Sequence, residues 1–247
     1  MSGHTHQRTS DHSHDHSHGR AGESQAGQPG QHSGHGPSEE EVAALFEPHG
    51  WQERYAGEDQ IWSGDPNPQL VTEAAGLTPG TALDVGCGEG GDVIWLAQQG
   101  WRVTGADFSA NGLARAARHA EQAGVAERTD WWEVDARDFA ADGRTFDLVT
   151  THFLHPPNGG MVEVARRLTE AVAPGGHLLV VGHAPSELHQ QMGEQHRRAM
   201  FLAADLLPAL PEDFEVLVVE QRPRRVTREG VTIDIDDSTL LARRRSA

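Results

Sequence analysis

The stretch Ala82–Gly100, ALDVGCGEGGDVIWLAQQG, decides how this chain is read. A short apolar run, TALDVG at Thr81–Gly86, ends in glycine. The segment that follows carries its apolar residues at helical spacing and closes on Gly100, a residue suited to a helix C-terminus. The local order is therefore strand, glycine loop, helix. Gly86, Gly88, Gly90 and Gly91 can be spelled G-x-G-x-x-G or G-x-G-x-G, and a glycine loop after a strand is often only a tight turn. Residues further out must decide what, if anything, the loop holds.

Outward from this unit the same alternation repeats. WRVTGADF (Trp101–Phe108) reads as the second strand and SANGLARAARHAEQAG as the next helix, with Ser109 as N-cap. TDWWEVDA (Thr129–Ala136) is a third strand and TFDLVTTHFL (Thr145–Leu154) a fourth. GMVEVARRLTEAVAPGG is a helix ended by Pro174 and Gly175, and HLLVVGH (His177–His183) is a fifth strand. Strands alternating with helices of this length imply crossover connections and a parallel sheet with helices on both faces. Two further strand-like runs, FEVLVVEQR and VTIDIDDSTLLARR, are separated by Glu229-Gly230 and pair most simply as an antiparallel hairpin. The expected fold is α/β: a Rossmann-like mixed sheet, mostly parallel, ending in a C-terminal antiparallel hairpin.

Composition limits the function. The 247 residues carry 37 acidic against 20 basic side chains, none of the latter lysine, for a net charge of −17. Such a balance argues against nucleic acid as a partner, because neutralising phosphates needs a positive surface. No stretch has the apolar length of a membrane span, the N-terminus lacks a signal-peptide core, and the single cysteine excludes an internal disulfide. A cytoplasmic protein is expected.

Residues 1–37 form a low-complexity tail whose densest part is DHSHDHSH at Asp11–His18. Too few apolar side chains are present to offset chain entropy, so disorder is expected. His4, His6, His12, His14, His16 and His18 could wrap Ni(II), Cu(II), Co(II) or Zn(II) on a flexible chain. The domain proper is expected over 38–247, opening with a helix N-capped by Ser38.

Three acidic residues, Asp84, Asp107 and Asp135, fall at the carboxyl ends of successive strands, where open α/β sheets bind ligands. A carboxylate at Asp107 can accept both hydroxyls of a ribose, whether of a nicotinamide dinucleotide or of S-adenosylmethionine. In order and spacing, LDVGCGEGG, GADFS, VDARDF, FDLVTTHFL and APGGHLLVV resemble the motifs of class I S-adenosylmethionine-dependent methyltransferases, over roughly Trp51–Arg245. The resemblance implies S-adenosylmethionine as cofactor. Gly86, Gly88 and Gly90 would let the backbone approach its methionine part, with Cys87 inside the same loop and Asp84 holding the amino group. Asp107 would bind the ribose, Phe108 and Ala136 would flank the adenine, Asp135 would accept its amino hydrogen, and Thr151 would complete the lining. A dehydrogenase of this length would need a substrate domain or a Tyr/Lys pair, and here Tyr55 is the only tyrosine.

Methyl transfer mainly requires that an acceptor be held close to the sulfonium methyl with water excluded, and a base only if the acceptor carries a proton. His152 and His155 follow strand four and His183 ends strand five. Neighbouring strand ends lie about 4.8 Å apart, so these three rings could converge over the methyl, with His152 and His183 the foremost candidates. Trp51–Val71 resembles the lead-in of the thiopurine and tellurite-resistance branch, which implies a lid containing Arg54 and Trp62. Ser186–Leu210 reads as a second cover whose leucine stripe belongs to the core. The reading is methyl transfer to a small molecule, with soft sulfur, selenium or tellurium nucleophiles as candidates. Arsenite fits poorly, since it needs several thiolates. The alternative is a metal-binding or metal-sensing protein that uses the fold without turnover.

Overall fold

The computed structural model describes residues 47–57, 60–156, 160–186, 194–228 and 231–246. The histidine tail, its metal ligands and the helix expected from Ser38 lie outside the described residues.

The chain from Pro37 onward forms one unit. Five strands are parallel: β1 (Thr81–Val85), β2 (Arg102–Asp107), β3 (Thr129–Glu133), β4 (Phe146–His152) and β5 (Val172–His183). Strands β6 (Phe214–Arg228) and β7 (Val231–Arg244) form the antiparallel hairpin, and β7 pairs with β5, giving the order β3-β2-β1-β4-β5-β7-β6. The mixed sheet of the expected class is thus present. The last strand in sequence sits inside the sheet and β6 forms its edge.

Side-chain alternation shows why both faces are covered. In β4, Leu148 packs into one core and Val149 into the other; in β5, Leu178 and Val180 go one way, Leu179 and Val181 the other, all essentially unexposed. One core is closed by α2 (Pro68–Ala74), α3 (Gly91–Gln98) and α4 (Ala110–Gln122) through Leu70, Val93, Leu96 and Leu113. The opposite core is closed by α5 (Met161–Thr169) through Met161, Val164 and Leu168, together with Leu206 from a 3₁₀ stretch over Ala203–Ala209. Truncating any of these leucines to alanine costs about 2–5 kcal/mol.

A helix, α1, spans Pro48–Ala56 with proline in its first turn. One element departs from expectation. The helix α5 stops at Thr169, and Val172–Gly176 joins β5, where Val172 pairs with Phe146. Pro174 would break a helix, and Gly175 takes φ +82°, so this turn-rich segment suits extended pairing. The short helix α6 (Glu194–Ala199) precedes the 3₁₀ stretch.

Candidate active site

The carboxyl ends of β1, β2, β4 and β5 meet along one edge of the sheet. At β1 the chain turns through the glycine loop, whose Gly86 and Cys87 amides both donate to Ala106 O on β2, at 2.7 and 3.1 Å. Gly90 ends the loop at φ +84° as the N-cap of α3, and a Cβ there would lie 2.9 Å from that of Ala116. Gly88 is needed for another reason: a Cβ would stand 2.7 Å from the Tyr55 hydroxyl.

Asp107 lies beside this loop at the end of β2. Its Oδ2 accepts from Gly88 N at 3.0 Å and its Oδ1 from Ser109 N at 2.8 Å. Burial raises its pKa, and the two amides oppose that rise by favouring the charged form. Each oxygen keeps a lone pair for a vicinal diol. Phe108 is half-buried and Ala136 is buried. Asp135 is more committed than the sequence implied: its carboxylate receives Arg137 through Nε and Nη2, at 3.0 and 2.7 Å, and caps the 3₁₀ turn by accepting Arg137 N. Arg137 outweighs burial and lowers the carboxyl's pKa.

Of the histidines at the ends of β4 and β5, His152 sits in an acidic cluster. His152 is buried on the same sheet face as Asp84, and its Nδ1 lies 2.8 Å from Asp92 Oδ2 and 3.7 Å from Asp84 Oδ1; Thr150 Oγ1 is 2.7 Å from Nε2. Burial opposes a charge on this ring, but Asp92 and Asp84 together raise its pKa. Asp84 is raised to about 7, chiefly by burial and against the pull of His152. Asp92 Oδ1 also accepts Asn67 N at 2.6 Å, which ties α2 to α3. Asp84, Asp92 and His152 offer ligand atoms within 4.8 Å of one another, a set able to hold a cation, whether an ammonium or a metal ion.

The rings that do meet are His155 and His183, 5.1 Å apart, with Phe153 stacked on His183 at 4.5 Å. His183 N donates to His155 Nε2 at 3.4 Å. Phe153 takes φ +53°, which turns its ring to the His183 side of the sheet. His183 Nδ1 lies 3.9 Å from Asp237 Oδ1 on β7, and Asp237 Oδ2 accepts Arg224 Nε at 2.8 Å. Sequence reading found none of Asp92, Asn67, Arg224 or Asp237; the only available signal was the position of Asp92 just past the glycine loop.

The segment ahead of β1 covers the loop. Trp51 stacks on Tyr55 and Trp62 at 5.7 and 5.8 Å, and Trp62 Nε1 donates to the Tyr55 hydroxyl at 3.0 Å. Glu89, inside the glycine loop, accepts from Ile61 N and Trp62 N at 3.1 and 3.0 Å and forms a buried ion pair with Arg115 at 2.7 Å. Gln52 receives Ser109 Oγ and Asn111 N at the start of α4. Arg54 is exposed, its guanidinium 4.9 Å over the Trp51 ring.

Asn67 Nδ2 and Thr151 Oγ1 are among the buried polar atoms with no hydrogen-bond partner in the described residues. Asp107 as a diol acceptor and the acidic cluster at Asp84, next to Asn67, offer groups that fit the ribose and ammonium ends of S-adenosylmethionine.

The chain is similar to known proteins. Residues 82–176 match a family model described as a methyltransferase domain. The ubiquinone biosynthesis O-methyltransferase of Pseudomonas paraeruginosa is 37% identical over 122 residues, covering 47% of this chain and 51% of the relative. Ribosomal RNA small subunit methyltransferase C of Alcanivorax borkumensis is 31% identical over 109 residues, covering 42% of this chain and 33% of the relative. The chain thus spans about half or less of the length of these curated relatives. The crystal structure of TehB from Haemophilus influenzae superposes with a TM-score of 0.61 at 19% identity, over 80% of this chain and 67% of that one, a likeness of fold. No helix among the described residues is long and apolar enough to cross a membrane.

Proposed function

We propose that this chain, a class I S-adenosylmethionine-dependent methyltransferase by its domain and fold, transfers a methyl group from S-adenosylmethionine to a small-molecule acceptor. The observation that carries the reading is the Asp107 carboxylate, buried and aligned by the amides of Gly88 and Ser109, one of them in the glycine loop itself.

When bound, the cofactor supplies an electrophilic methyl on a positively charged sulfur. The protein's part is to bind, orient and exclude water. Asp107 would accept the ribose hydroxyls. The backbone of Gly86, Cys87, Gly88 and Gly90 would face the methionine part, and Asp84, with Asp92 behind it, would complement the ammonium group. Phe108 and Ala136 would border the adenine. Arg137 already engages Asp135, so an adenine amino group would share that carboxylate with a guanidinium. The stack of Trp51, Tyr55 and Trp62 would keep solvent off the loop, with Arg54 at its outer edge.

His155 and His183 form the acceptor side in this reading, and His152 backs the ammonium group. A net charge of −17 favours a small acceptor over a polynucleotide, even though one relative is named for ribosomal RNA. Sulfur, selenium and tellurium nucleophiles remain the first acceptors to try. Cytoplasmic residence and metal capture by His4 to His18 belong to the same proposal.

The test is calorimetric titration with S-adenosylhomocysteine, followed by transfer of a labelled methyl from S-adenosylmethionine to thiols, selenite and phenols under reducing conditions. Binding that is lost in Asp107→Ala, together with labelled product, supports the reading. Binding without turnover on any acceptor would favour the non-catalytic alternative, and absence of binding would overturn both.

A further inference from the structure

Asp237 is a fully buried carboxylate at the centre of the hairpin, opposite His183 on β5 and Arg222 on β6. One of its oxygens is satisfied by Arg224, and Gln69 of α2 also hydrogen-bonds the side chain. Oδ1, in contrast, has no hydrogen-bond partner among the described residues, although it faces His183 Nδ1 at 3.9 Å. A buried carboxylate oxygen without a donor is costly, and a proton on Nδ1 would remove that cost.

The surroundings fix the ring as well as the oxygen. Phe153 stacks on His183, and the Arg224 guanidinium that grips Asp237 also lies 4.9 Å over the Phe153 ring. Arg224 therefore couples the carboxylate to the aromatic platform. Phe153 holds a left-handed backbone to do this, a conformation that bulky side chains avoid and that concentrates at functional positions. His155 touches the same ring from the loop after β4. Nδ1 is buried, while the His183 side chain keeps 29% of its exposure, so the open part of the ring lies away from Asp237.

We propose that Asp237 is a positioning residue that holds His183 in the Nδ1–H tautomer, leaving Nε2 to take the proton of a methyl acceptor that arrives as a neutral thiol or hydroxyl. This deepens the methyl-transfer reading and rests on it. In the step, the acceptor's proton passes to Nε2 as its sulfur or oxygen bonds to the methyl carbon, and the sulfonium carbon–sulfur bond breaks with its electron pair left on sulfur. The products are the methylated acceptor, a neutral thioether and an imidazolium facing Asp237, which returns its proton to solvent. An acceptor that is already an anion would need none of this apparatus.

The experiment is nitrogen-15 NMR of the full chain, labelled at histidine, at a pH where the imidazole is neutral, with His183 assigned by the signal lost in His183→Gln. The expected result is Nδ1–H in the wild type and a change toward Nε2–H in Asp237→Asn. Wild-type His183 in the Nε2–H form would overturn the proposal without any variant having to fold. The kinetic arm measures labelled methyl transfer to a series of thiophenols and phenols of graded acidity. Asp237→Asn should slow the least acidic acceptors at least tenfold, spare those already ionised, and leave S-adenosylhomocysteine affinity unchanged. Equal slowing of every acceptor, or none, would sink the base-orienting role. Lack of wild-type turnover on all of them, with cofactor bound, would count against the methyl-transfer reading itself while the tautomer result stood on its own.

Discussion

The two halves of the sheet's carboxyl edge are built differently. On the cofactor half, the defining contacts run through backbone amides: Asp107 accepts from those of Gly88 and Ser109, and Asp135 from that of its neighbour Arg137. On the acceptor half, the defining contacts are between side chains distant in sequence, such as His183 with Asp237 and Phe153 with Arg224. Backbone-built sites depend on loop geometry that few sequences can supply. Side-chain-built sites can be rewritten residue by residue on the same scaffold, which is how one fold serves many acceptors.

The sharpest way to break this contrast is Asp107→Ala. Both amides lose their acceptor and the diol loses its partner, so S-adenosylhomocysteine affinity should fall at least 100-fold in calorimetry. On the acceptor half, His183→Gln should instead reduce turnover about 100-fold, the usual worth of a positioned base, with cofactor affinity within twofold of wild type. If His183→Gln weakened the cofactor as much as Asp107→Ala does, the division into halves would fail.

Glu89 tests whether the N-terminal cover belongs to the cofactor half. Its carboxylate joins two backbone amides of the cover to buried Arg115. Replacement by Gln breaks the buried ion pair with Arg115, at a cost of about 3 kcal/mol. Denaturant unfolding of Glu89→Gln should show that loss, along with weaker cofactor binding and little change in turnover at saturation. Unchanged stability would mean that Arg115 finds compensation in Gly57 O, which it already contacts.

Legibility follows the same division. The glycine loop, the acidic strand ends and the parallel order of β1 to β5 could be read because each rests on local spacing. The hairpin could also be read, but not that β7 would lie against β5, which no short-range signal encodes. The strand-end positions of His152, His155 and His183 could be read, but not their partners: Asp84 and Asp92 beside His152, and the left-handed Phe153 stacked on His183, come from segments far apart in sequence or from a turn that no spacing announces. Asp237 was invisible for the same reason, since its meaning depends on a register set 54 residues away from His183.

The smallest effect concerns the seam between the halves, where Asp84, Asp92 and His152 hold two carboxylates and one imidazole out of water. Asp84 titrates near 7 in the fold, against about 3.9 for an unfolded aspartate, so the stability its proton confers is complete at low pH and is lost as pH rises through about 7. His152 is also raised, so its contribution is complete below about 6.5 and is lost as pH climbs through its higher folded value. Both act in the same direction. The cofactor-free protein should therefore melt a few degrees lower at pH 8 than at pH 6, and Asp84→Asn should flatten that slope. A bound ammonium would take over the work of these protons, so S-adenosylhomocysteine binding should release protons in this window, detectable as a dependence of the calorimetric enthalpy on the buffer's own ionisation heat. An equal pH slope in Asp84→Asn would show that the cluster is not the source, and proton-neutral binding would place the ammonium elsewhere along the edge.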